Sequence, residues 1–218
     1  MTRATMDEGS GGLRLGRRRL LAATGVGLAL THAAFAAPGE ADAGIVDVAG
    51  HLLPLRFTMT SSANGQLVTA RAYRRDVVLV YFGFTRCPDS CPLTVQNAAR
   101  LLHELGSVAQ HVRFLFVTVD LDHDKPAVLR RFLARFGPPP GINGLYGTPA
   151  ELQALAKRYG VDYRAPTGPD AADPVSAISH GDALYLFGRD GKAEAIISDF
   201  SGARPPIRAL AAKIRTLI

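Results

Sequence analysis

Apolar residues recur along this chain in distinct rhythms, and each rhythm predicts an element. Val77-Val78-Leu79-Val80-Tyr81 and Phe114-Leu115-Phe116-Val117 are unbroken, β-branched or aromatic runs. They read as buried strands, over Val77–Phe84 and Val112–Asp120. Between them, Leu93–Leu105 places Val95, Ala98, Ala99, Leu101 and Leu102 at helical spacing. Pro126–Phe136 predicts a second helix with Asp124 as its N-cap. Thr148–Tyr159 predicts a third, opened by a capping box of Thr148 and Glu151. Pro205–Ile218 predicts a closing helix. Leu55–Thr60 and Leu67–Ala72 are short strand candidates around the turn signal Ser62-Ala63-Asn64-Gly65. Ala183–Phe187 and Ala193–Ser198 are another pair, around Gly188–Lys192. Gly137–Asn143 reads as a Pro/Gly loop, and the polar stretch Arg164–Ser176 as a mobile one. No internal repeat is visible.

A hairpin, then strand-helix-strand-helix, then helix, hairpin and helix implies a parallel crossover extended by antiparallel strands. Both cysteines, Cys87 and Cys91, fall where the first central strand hands over to a helix. That combination indicates an α/β, thioredoxin-like fold: a central mixed sheet flanked by helices, with an added N-terminal hairpin.

Residues 1–36 have a different character. A basic run, Arg14–Arg19, precedes the Ala- and Gly-rich apolar stretch Leu20–Leu30 and an A-x-A site, Ala34-Phe35-Ala36. This is the three-part form of an export signal, twin-arginine-like at Arg17-Arg18-Arg19-Leu20-Leu21. Cleavage is the reading here, and an uncleaved membrane anchor is the alternative. Either places the folded part outside the cytoplasm, in the periplasm or another extracytoplasmic space where thiols meet oxidants. Residues 37–52 read as a flexible tether and 53–218 as the folded domain. The leader also explains the charge. It holds +3 of the net +6, and the remainder has no basic helix or aromatic-lined basic run, which excludes nucleic-acid binding.

The helix start gives the cysteines their chemistry. Unpartnered N–H groups there carry partial positive charge, so a thiolate is expected to be stabilised and its pKa to fall. Two sulfurs one turn apart either share a soft metal ion or close a disulfide. A purely structural disulfide is the bland alternative, but so short a loop gains little from closure.

The segment Tyr81-Phe82-Gly83-Phe84-Thr85-Arg86-Cys87-Pro88-Asp89-Ser90-Cys91-Pro92 resembles the metal-binding signature of the Sco/SenC family of copper-binding, thioredoxin-like proteins. Thr118-Val119-Asp120 with Asp124 and Pro126, and Ser179-His180-Gly181-Asp182-Ala183-Leu184-Tyr185-Leu186, carry weaker support. The similarity spans roughly Pro54 to Ile218. It departs at Ile178-Ser179, where the family often has Val-Asp. The resemblance implies copper ligation, as Cu(I) or Cu(II), by Cys87, Cys91 and His180. It also implies a metallochaperone that delivers copper to, or reduces the cysteines of, the binuclear copper site of cytochrome c oxidase.

Zinc suits the same donor atoms. Of the remaining histidines, His32, His51, His103 and His111 read as leader, tether or surface residues, and His123 is the best rival ligand. Asp120–Asp124 lacks the Gly and Glu that an EF-hand loop requires. Arg86 reads as a surface charge that, beside Cys87, would favour a thiolate. The rival function is a general extracytoplasmic thiol–disulfide oxidoreductase using Cys87 and Cys91 without stable metal. A peroxiredoxin-like peroxidase is disfavoured by the absence of a Pro-x-x-x-Thr/Ser-x-x-Cys pattern before Cys87. The partner is a copper-site subunit of the oxidase or another copper or thiol protein, with a membrane tether only if the N-terminus is retained.

Overall fold

A strand carrying an unbroken apolar run needs cover on both faces, and two such strands set the middle of this fold. The computed structural model describes residues 44–137, 141–164 and 181–218, all within the compact unit Pro38–Ile218. In chain order they form β1 (Ile45–Asp47), β2 (Thr58–Ser61), β3 (Leu67–Thr69), β4 (Val77–Gly83), α1 (Ser90–Leu105), β5 (Val112–Thr118), α2 (Pro126–Leu133), β6 (Ile142–Tyr146), α3 (Pro149–Tyr159), β7 (Leu184–Phe187), β8 (Ala193–Ile197) and α4 (Ile207–Thr216). The strands make one mixed sheet in the order β1-β8-β7-β4-β5-β6-β2-β3. β4 and β6 run parallel to β5, and the other neighbours pair antiparallel.

β4 is buried at every position, and β5 at all but Arg113. Their aromatic side chains knit the centre: the rings of Tyr81 and Phe116 lie 5.9 Å apart, and Phe116 in turn meets Phe132 of α2 at 5.6 Å. Helix α1 packs on α4, and α2 on β6. Full burial of one such side chain contributes about 1.5–3 kcal/mol. The architecture is the mixed thioredoxin-like α/β arrangement expected from the element order, with the β2–β3 hairpin added at one edge.

Four local expectations change. Ile45–Asp47, inside the stretch read as tether, pairs with β8 as an edge strand; three residues are too few to show alternation. Ala70–Tyr73 forms a 3₁₀ turn, so β3 ends at Thr69. Ile142–Tyr146, partly inside the expected Pro/Gly loop, is a strand held between β5 and β2. Asn143 and Gly144 are poor strand formers by propensity, but tertiary contacts fix them. Asn143 Nδ2 donates to Ser61 Oγ at 2.9 Å and Tyr73 Oη at 3.1 Å, and the Ser61 and Ser62 hydroxyls donate back to its Oδ1. A side chain at Gly144 would stand 2.8 Å from Ser62 Oγ. Finally, Lys125 occupies the cap position of α2 without a side-chain cap bond, and Asp124 turns inward instead.

The capping box of α3 forms as expected from Thr148 and Glu151. Among the described residues no helix is long and apolar enough to cross a membrane. The leader read at 1–36, most of the loop read at Arg164–Ser176, and His180 lie outside the described residues.

Candidate metal centre

β4 ends at Gly83, and the chain turns at once: the Cys87 N–H donates to Phe84 O at 3.3 Å. Helix α1 starts at Ser90, so Cys87 sits in the loop before it and Cys91 is its second residue. Neither is in a disulfide; Cys87 is half-buried, whereas Cys91 is completely buried. The Cys91 N–H, in the open first turn of the helix, donates to Cys87 Sγ at 3.3 Å, and Ser90 Oγ lies 3.5 Å from the same sulfur. Cys91 Sγ is surrounded differently. Tyr81 Oη donates to it at 3.6 Å, and the Phe84 backbone N–H also reaches it. The expected lowering of thiol pKa does not hold for Cys91. Burial first, and neighbouring Cys87 next, push its thiol up, outweighing the two hydrogen bonds.

Gly83 makes room for this arrangement. A Cβ there would lie 2.8 Å from Cys91 Sγ and 2.9 Å from Phe116 Cζ. Tyr81 and Gly83 share one face of β4 by strand alternation, so the absent side chain of one admits the sulfur that the other touches.

A second loop grips the first. The Asp124 carboxylate accepts from the Thr85 N–H (2.8 Å), the Thr85 hydroxyl and the Thr118 hydroxyl (2.8 Å). Arg86, adjacent to Cys87, donates from Nε and Nη2 to Asp120 Oδ2 at 3.2 and 2.8 Å. His123 Nδ1 lies 2.9 Å from Asp120 Oδ1 and 2.7 Å from Arg86 Nη2. Arg86 is therefore an ion-paired anchor rather than a surface charge. Burial acts to raise the Asp120 carboxyl, but the bonds from His123 and Arg86 prevail and hold it below the ordinary value of 3.8. Burial pushes the Asp124 carboxyl up, against its bonds from Thr85 and Thr118.

Cys87 and Cys91 are thus brought together, while His180 lies outside the described residues. Leu184 pairs with Tyr81, so Gly181–Ala183 enter β7 at the end of the sheet where β4 leaves for the cysteine loop. Among the described residues no three His, Cys, Asp or Glu side chains gather closely enough to hold one metal ion. His123 accordingly does not complete a site with the two cysteines. The donor atoms present suit a soft cation, since thiolates select Cu(I) and also take zinc. Tyr81, Gly83 and the Asp124 clasp are site residues that sequence reasoning did not assign. The signal was available for the first two, a hydroxyl and a glycine two apart on one face of an otherwise apolar strand.

The model of the SCO1/SenC family matches residues 51–218. This chain belongs to the SCO1/SenC family. The human mitochondrial SCO1 homolog is 30% identical over 162 residues, 73% of this chain and 51% of that protein. Bradyrhizobium japonicum ScoI, solved with copper bound, is 30% identical with a TM-score of 0.64, covering 76% of this chain and 99% of that one. Yeast Sco1, also solved with copper bound, is 25% identical with a TM-score of 0.66, covering 77% and 91%. The chain spans 44% to 62% of the length of the curated relatives it matches.

Two outcomes follow for the SCO1/SenC site. Gly83→Ala should cost about 1–3 kcal/mol in urea unfolding through overpacking and make Cys91 more reactive to iodoacetamide; unchanged stability and reactivity would contradict the slot. The depressed Asp120 pKa means that its stabilisation is present above the unfolded value of 3.8 and is lost as pH falls through the folded value. Asp120→Asn should lower stability at pH 7 by about 2 kcal/mol and flatten the acid limb. A variant with an unchanged drop in stability below that pH would show that Asp120 does not carry it.

Proposed function

We propose that this chain binds copper as cargo through Cys87, Cys91 and His180, and acts as a metallochaperone. Its role is to deliver copper to, or maintain the thiols of, the binuclear copper site of cytochrome c oxidase. The observation that carries this reading is the pair of thiols gathered at the first turn of α1, with Cys91 N–H bonded to Cys87 Sγ at 3.3 Å. Two sulfurs leave a soft ion under-coordinated, and the entry to β7 lies beside them, which supports His180 as the nitrogen donor. A three-ligand site suits a donor, because an open position lets a receiving protein's ligand enter before the ion leaves. The copper found in the Bradyrhizobium and yeast relatives supports the choice of metal.

The leader at 1–36 supports an exported, extracytoplasmic protein, cleaved or anchored by that segment. A second reading, thiol–disulfide exchange with partner cysteines, is favoured by the half-exposure of Cys87 beside the buried Cys91. The two readings use the same sulfurs in different oxidation states, since the oxidised pair no longer offers thiolates to the metal.

Copper titration of the metal-free protein tests the proposal. The reduced protein should take one copper per chain and the oxidised protein little. His180→Ala should bind at least about tenfold more weakly and lose nitrogen hyperfine structure from the Cu(II) electron paramagnetic resonance spectrum. Equal uptake before and after oxidation would refute thiolate ligation. Unchanged affinity and hyperfine structure in His180→Ala would remove that residue from the site.

A further inference from the structure

Tyr81 is the one residue of β4 with a side-chain hydroxyl, and it is completely buried. Its ring lies against Phe114 and Phe116, with centroids at 6.4 and 5.9 Å. That packing aims Oη at Cys91 Sγ, 3.6 Å away, and the open Cα of Gly83 lets the sulfur approach the strand. The two sulfurs are unequal as a result. Cys87 is partly accessible and lies next to Ser90 Oγ, whereas Cys91 is closed off from water and surrounded by donors from the protein.

We propose that the Tyr81 hydroxyl is the hydrogen-bond donor to Cys91 Sγ, the buried sulfur that receives charge when the accessible Cys87 is attacked in thiol–disulfide exchange. This rests on the reading of Cys87 and Cys91 as a reactive pair. In the oxidised protein an incoming thiolate, from a partner cysteine or a small thiol, attacks Cys87 Sγ. The new S–S bond forms there, the Cys87–Cys91 bond breaks, and its electron pair passes to Cys91 Sγ. Water does not reach that atom, so protein donors must stabilise the charge, and in a low-dielectric setting each such bond counts for more. Access to Cys87 and the stability of the leaving thiolate are both determinants of the rate of this exchange, and the hydroxyl acts on the second. In the reduced, copper-loaded protein the same hydroxyl withdraws electron density from one of the metal's sulfur ligands, as hydrogen bonds around a ligating sulfur do.

The test compares wild type with Tyr81→Phe, which keeps the ring packing and removes only the oxygen. The metal-free disulfide form is reduced by 2-mercaptoethanol under pseudo-first-order conditions. Tyr81→Phe should react about tenfold more slowly, the worth of one hydrogen bond to a charged group. A packing defect alone would expose Cys91 and speed the reaction, the opposite sign. A rate within twofold of wild type, or a faster one, overturns the proposal. Should the Phe variant fail to fold, 3-fluorotyrosine at position 81 supplies a stronger donor and should accelerate reduction; no acceleration overturns the proposal equally. In the Cu(II) form of Tyr81→Phe the sulfur-to-copper charge-transfer band should move to lower energy, and an unmoved band counts against the hydroxyl. A wild type that binds no copper sinks the proposed function but leaves the reduction experiment readable.

Discussion

Gly83 and Thr118 end their strands side by side, because β4 and β5 pair in parallel from Val77 and Val112 onwards. Both chains therefore leave the sheet at one edge, and each must turn there. The turn after β4 carries Cys87, and the turn after β5 carries Asp120 and Asp124. Their adjacency lets Asp124 hold Thr85 and Asp120 hold Arg86. The cysteine loop is thus fastened at the two residues that precede Cys87. On its far side the loop runs into α1, whose first turn offers an N–H to Cys87 Sγ. A loop tied at both ends keeps a reactive sulfur in one place without enclosing it.

Burial divides the labour within the pair. Cys91, in the first turn of α1, faces β4, where the missing side chain of Gly83 admits its sulfur and Tyr81 meets it. Charge at that depth is costly, as the raised thiol pKa of Cys91 indicates. A bound soft cation or a disulfide would relieve that cost, each in a different way. The Asp120–Asp124 turn manages its two carboxylates by the same rule. Asp120 is paired with Arg86 and His123. Asp124 has hydroxyl and amide donors but no cation, and ionising it as pH rises subtracts from stability.

Much of this was legible in the sequence, and the exceptions have physical reasons. The runs Val77–Tyr81 and Phe114–Val117 announce central strands because residues buried on both faces leave no alternation to misread. The Thr148–Glu151 box announces α3 because capping is local chemistry. Ile142–Tyr146 was hidden because its strand conformation comes from neighbours on both sides and from the Asn143 hydrogen bonds, none of which are local. Asp124 looked like an N-cap because it precedes Pro126 at a plausible distance. Only the position of β4 shows that its carboxylate has a better use. Cys87 and Cys91 were evident from spacing and context. Their inequality was not, since exposure follows from how α1 lies on the sheet.

The central proposal is that Cys87 and Cys91 offer two thiolates to one copper ion, with His180 as the nitrogen donor. X-ray absorption at the copper edge of the Cu(I)-loaded protein tests it most directly. The account predicts a first shell of two sulfurs and one nitrogen, with an imidazole scattering pattern that disappears in His180→Ala. A shell containing a single sulfur, or only nitrogen and oxygen, would contradict it.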